Sequence, residues 1–98
     1  MIIKMKNFGS ILDSHPYGLE SYLGFRPVLL HERKPDEEII VDFHGVMVLT
    51  PSYAAPFIGE LIEQYPGKVT FAHTDNITVQ RTLAFLAEGW PEGTYEER

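Results

Sequence analysis

Three short polar clusters in this chain carry residue types that can do chemistry. The first is Asp42-Phe43-His44, a carboxylate and an imidazole closing the apolar run Ile39-Ile40-Val41. The second is Thr50-Pro51-Ser52, two hydroxyls where a helix should begin. The third is His73-Thr74-Asp75, an imidazole and a carboxylate after the run Val69–Ala72. Side chains at the carboxyl end of a strand stand where α/β folds place ligands, which makes Asp42 and His73 candidate ligand-binding residues. A hydroxyl in the first turn of a helix can carry a phosphate, because the free N–H groups and the helix dipole favour negative charge there. Both features have a plainer reading. Asp42 can simply cap N–H groups of the following loop. Thr50-Pro51 is also an N-cap followed by proline at the first helical position, a cap worth about 1 kcal/mol.

Other chemistry finds less support. The four histidines, His15, His31, His44 and His73, show no i, i+4 pairing, and the chain has no cysteine. Helical zinc pairs, thiolate sites and cysteine nucleophiles are therefore excluded. Asp42-x-His44 and His73-x-Asp75 would converge if their strands paired, although zinc usually requires three or four closely organised ligands. There is no Gly-x-Ser-x-Gly elbow, and Gly45 stands alone rather than in a phosphate-cradling loop. The expectation is a protein without catalytic residues, metal or cofactor.

The elements that must position these clusters are readable from periodicity. Ile2–Lys6 alternates apolar and basic residues, as a half-exposed strand does. Ser14 is placed as an N-cap with Pro16 in the first turn, opening a helix with a Leu19, Tyr22, Leu23 stripe. Gly24 is a point at which that helix ends or kinks, and Val28–Leu30 reads either as a further helical turn starting at Pro27, the preferred reading, or as a short strand. Ile39-Ile40-Val41 is consecutive and β-branched, the pattern of a central strand covered on both faces. A helix over Pro51–Tyr65 follows, with Phe57, Ile58, Leu61 and Tyr65 along one stripe and Pro66-Gly67 as its stop. Pro56 is out of place five residues into that helix, so the helix starts nearer Tyr53 or is kinked. Val69–Ala72 is a strand, and Asp75 or Asn76 caps a last helix with Val79, Leu83 and Leu86 inward. Residues 91–98 read as a polar tail, and Trp90 and Tyr95 either dock back on the sheet, the preferred reading, or anchor a partner. Strand and helix alternate from residue 39, which predicts parallel pairing of the Asp42 and Ala72 strands through right-handed crossovers.

Composition narrows the class further. Ninety-eight residues make one domain with a modest core, and 44% hydrophobic with 22% charged residues is ordinary for a globular chain. A net charge of −6 with eight scattered basic residues argues against nucleic acid as a partner. No apolar run approaches the roughly 20 residues that span a bilayer, and no signal-peptide core is visible, so the expected setting is cytoplasmic, away from the membrane.

At the level of motif the chain is familiar. Val41-Asp42-Phe43, then Gly45-Val46, then Leu49-Thr50-Pro51-Ser52-Tyr53-Ala54 ahead of an amphipathic helix resembles the STAS-like domains. This small prokaryotic family is related to the anti-sigma-factor antagonist (STAS) domains. Leu12-Asp13-Ser14-His15 stands where the family has Leu-x-Ser-Arg, and Asn76 where it has an asparagine after the third strand. The family's Asp-Glu pair in the second helix is replaced by Ala55-Pro56, so a function resting on those charges is lost or altered. In the antagonists, a serine in the loop before this helix is phosphorylated by a partner kinase. The matching position falls at Pro51 or Ser52, which leaves Ser52 or Thr50 to inherit the role.

The resemblance implies a STAS-like α/β sandwich of about four mostly parallel strands in a mixed sheet and about three helices, spanning residues 1–90. It implies a non-enzymatic signalling module that binds a protein partner, such as a histidine-kinase-like ATPase, through residues 45–57. Gly45, Thr50, Ser52, Tyr53 and Phe57 are the expected contact residues. The alternative is a small-ligand or nucleotide site at the strand carboxyl ends, around Asp42, Thr50 and His73.

Overall fold

A computed structural model, describing residues 1–98, resolves the alternating pattern into two parallel sheets and a helical layer. The main sheet has the order β1-β3-β5-β6, from Ile2–Lys4, Ile39–Asp42, Val69–Ala72 and Tyr95–Glu97. Every neighbouring pair in it is parallel, with Val41 opposite Ile3 on one side and Phe71 on the other. A second, two-stranded sheet joins β2 (Ile11–Leu12) to β4 (Val48–Leu49), also in parallel.

The strand order steps in one direction only. With right-handed crossovers, such an order places every connecting helix on the same face of the sheet. Burial agrees: Ile39 and Val41 are buried, whereas Ile40 and Asp42 are only half-buried. Ile39-Ile40-Val41 is therefore covered by helices on one face, not on both as its sequence predicts. Its second face carries Ile2, Lys4, Ile40, Asp42 and Glu96 and has no helical layer.

Helix α1 (His15–Glu32) starts at Ser14, whose hydroxyl accepts from the Tyr17 N–H. It runs on through Gly24 and Pro27 without ending. Both residues are exposed, so the Leu23 carbonyl that Pro27 cannot bond faces outward. Gly18 is buried at the crossing with the next helix: a β-carbon there would lie 2.2 Å from the Tyr53 carbonyl oxygen.

That next helix begins at Pro51, capped by Thr50, and comprises α2 (Pro51–Ala54), a π turn (Ala55–Gly59) and α3 (Glu60–Gln64). Pro56 neither delays the start nor breaks the helix. Lacking an N–H for the Ser52 carbonyl, it widens the turn into π geometry, and the chain continues. Helix α4 (Ile77–Ala87) is capped by Asn76, whose side-chain oxygen accepts from the Thr78 and Val79 N–H groups.

Phe57 is the centre of the core. Its ring lies 5.1 Å from Phe8, 5.7 Å from Tyr22, 6.3 Å from Tyr53 and 6.5 Å from Phe25. The contact with Phe8 explains why the first strand is shorter than its alternating sequence suggests. After Lys4 the chain bends into a 3-10 turn (Met5–Phe8) that buries Met5 and swings Phe8 onto Phe57.

At the other end, residues 91–98 are not a free tail. Tyr95–Glu97 adds a fourth strand to β5, with the Arg98 N–H bonded to the Phe71 carbonyl. Tyr95 and Trp90 pack 5.4 and 6.0 Å from Phe71, the docking that their aromatic character predicts.

Candidate functional site

The strand ends bring Asp42 and His73 together as their spacing allows. Ala72 pairs in register with Asp42, so the next residue, His73, turns beside it. The turn requires an uncommon backbone: His73 has φ +56°, in the left-handed region that non-glycine residues rarely occupy. Its Nδ1 then lies 2.7 Å from Asp42 Oδ1, which also accepts the His44 N–H at 2.9 Å. The His44 and His73 rings meet edge to face at 5.5 Å.

Asp42 thus does cap its loop, and it also orients an imidazole. Partial burial pushes its carboxyl up, but the His44 N–H and the His73 hydrogen bond outweigh this and hold it below the usual carboxylate range. Asp75 is exposed and outside this group. No three His, Asp or Glu side chains are close enough to hold a metal ion.

Lysines complete the cluster, and they are absent from the sequence expectation. Lys4 pairs in register with Asp42 across the β1–β3 ladder. With Lys6, Asn7 and His44 they line a recess of about 400 Å³, bounded by polar residues, at the carboxyl edge of the sheet. Gly45, at φ +85°, turns the chain above it; a β-carbon there would lie 2.5 Å from Lys6 Cδ.

The segment from Gly45 to Ser52 is held from both sides. On one side Met47 and Val48 donate to the Ser10 carbonyl, and Thr50 to that of Leu12. On the other, α4 supplies side chains instead of a strand. Asn76 donates to the Met47 carbonyl, Thr78 accepts the Leu49 N–H, and Thr82 donates to the Leu49 carbonyl at 2.7 Å. The same lacing ties Met47 to the residues next to Ile11 and Ile77, and the three are 65, 53 and 56% exposed.

The expected contact residues divide sharply. Gly45 and Ser52 are exposed, and the Ser52 hydroxyl makes no hydrogen bond within the protein. Thr50 is half-buried; its Oγ1 accepts the Tyr53 N–H and donates to the Leu12 carbonyl. Tyr53 and Phe57 are fully buried in the core and offer no surface to a partner. Their positions follow from the helix itself, which turns their rings onto Tyr17, Tyr22 and Phe8.

The Tyr53 hydroxyl is buried without a hydrogen-bond partner. Burial pushes its phenol up to about 12, and Ser21 faces it without reaching hydrogen-bond geometry. Tyr53→Phe removes only this unpaired oxygen, so it is expected to raise stability by up to about 1 kcal/mol in urea unfolding. A loss of stability would mean that the hydroxyl finds a partner in solution.

A family model described as a STAS-like domain of unknown function (DUF4325) matches residues 27–78, just over half of the chain. The match runs from the second half of α1 to the first turn of α4 and takes in Asp42, Gly45, Ser52 and His73. No curated protein and no solved structure matches the chain. No helix is long and apolar enough to cross a membrane.

Proposed function

Because the chain belongs to the STAS-like domain family, we propose that it is a non-enzymatic regulatory module binding a protein partner along the edge formed by residues 45–52. One observation carries this reading. Met47 exposes its apolar side chain on a segment braced by hydrogen bonds to Ser10 and Asn76, and the neighbours of those anchors, Ile11 and Ile77, are exposed as well. Isolated exposed apolar residues are normal, but a group of them on a braced segment is the form of an interaction surface.

Ser52 is the control point in this proposal. It lies in the first turn of α2, is exposed, and has an unengaged hydroxyl, whereas Thr50 is committed to the cap. Phosphate at Ser52 adds nearly two negative charges next to the apolar edge, while the helix N–H groups stabilise them. The family resemblance points to a histidine-kinase-like ATPase as the partner class. The acidic balance of the chain favours a basic partner surface and a fast encounter.

The test is recovery of a partner from native lysate on immobilised wild type, Met47→Asp and Ser52→Asp proteins, read by mass spectrometry. One partner is expected on wild type and at least about tenfold less of it on either variant. Equal recovery on Met47→Asp would overturn the surface. Equal recovery on Ser52→Asp alone would keep the surface and remove Ser52 from its control.

A further inference from the structure

We propose that the recess at the carboxyl ends of β1 and β3 binds a small sugar-phosphate-like ligand, its phosphate on Lys4, Lys6 and His44 and an adjacent hydroxyl on Asp42. This site adjoins the partner-binding edge at Gly45 but rests on other side chains and does not depend on that edge.

Charge comes first. The protein carries 14 acidic and eight basic side chains, so an unpaired lysine has acidic groups in excess to choose from. Yet its four ion pairs use the N-terminus, Lys68, His73 and Arg98. Lys4 and Lys6 share the lack of a carboxylate partner with Arg26, Arg33, Lys34 and Arg81, but these two lysines line the same recess. Two ammonium groups with an asparagine amide and an imidazole alongside make a donor set for a compact dianion.

The neighbouring carboxylate selects the rest of the ligand. Asp42 Oδ1 is already occupied by the His44 N–H and His73 Nδ1, whereas Oδ2 accepts nothing from the protein. An open carboxylate oxygen beside an anion site repels a second phosphate and accepts a hydroxyl. The recess is also larger than inorganic phosphate needs and lies in the size range of small-metabolite pockets. None of its five lining residues is an apolar or aromatic hydrocarbon side chain, so it offers no aromatic ring of Phe, Tyr or Trp for a nucleobase to stack on.

The arrangement is held in advance of binding. His73 keeps its left-handed backbone to meet Asp42, and such outliers concentrate at functional sites. Gly45 leaves the space that the Lys6 stem fills, which limits how that long side chain can wander. Ordering a lysine before the ligand arrives lowers the entropy lost on binding.

Calorimetric titration with ribose 5-phosphate, inorganic phosphate and ribose tests the site, with folding of each variant checked by circular dichroism. Saturable binding of ribose 5-phosphate is expected, with inorganic phosphate weaker and ribose silent. The Lys4→Ala, Lys6→Ala double variant should weaken ribose 5-phosphate at least about tenfold. Asp42→Asn should bring ribose 5-phosphate towards the affinity of inorganic phosphate. No saturable heat from either phosphate compound at millimolar concentration, or full affinity in the double lysine variant, overturns the site. Unchanged discrimination in Asp42→Asn overturns the hydroxyl contact.

Discussion

Phe57→Ala is expected to lower folding stability by about 3–5 kcal/mol, close to the whole margin of a small domain. The cost has two parts. The buried ring loses its transfer free energy, and the space it leaves is bounded by rings that cannot all move in. Phe8 is tied to the turn after β1, Tyr22 and Phe25 to α1, and Tyr53 to the first turn of α2. The four rings are anchored to three elements, so collapse onto the void would have to move several elements at once. Urea unfolding followed by circular dichroism measures the loss, with Phe57→Leu recovering part of it. A shift of less than about 1 kcal/mol would show that the cluster repacks freely and is not the core.

The second large effect is a contrast within one helix. Gly18→Ala places a methyl 2.2 Å from the Tyr53 carbonyl oxygen and 2.9 Å from its carbon. These are backbone atoms, so no side-chain rotation relieves the clash and α1 must move away from α2. Overpacking of this kind costs about 1–3 kcal/mol and exceeds the helix-propensity gain of about 1 kcal/mol from glycine to alanine. Gly24→Ala, six residues on, meets nothing within 4 Å and keeps the gain alone. The two changes are expected to move the urea midpoint in opposite directions, Gly18→Ala down and Gly24→Ala up. A midpoint raised by Gly18→Ala would mean that the helices cross at a wider separation than described.

The difference between those glycines was not visible in the chain. Both occupy positions in one helical stretch, and only the crossing partner, more than thirty residues from Gly18 in sequence, separates them. What the sequence conveyed well was local: the caps at Ser14, Thr50 and Asn76 are made by hydrogen bonds within three residues. The convergence of Asp42 with His73 was also legible, because neighbouring parallel strands align their ends. The lysines of the same cluster were not. Their approach depends on β1 pairing with β3 across the whole of α1, and the pattern Ile-Ile-Lys-Met-Lys says only that one face is wet.

Tyr53 and Phe57 failed as contact residues for a related reason. A motif names the segment that matters, but a helix turns one face of it inward, at every third or fourth residue. The same limit hid the role of residues 95–97: a strand of Tyr-Glu-Glu at the edge of a sheet has the composition of a solvated tail.

The absence of any antiparallel pair bears on how the chain reaches this structure. All four strand pairings are parallel, so no hairpin exists to form early and locally. Each ladder must wait for a crossover to bring distant segments together, and loop closure precedes the first hydrogen bond it gains. Refolding should therefore be slow for a chain of this length, with helical signal returning ahead of the sheet. During that interval β3 and β5, apolar and unpaired, are the segments most open to joining a neighbouring molecule.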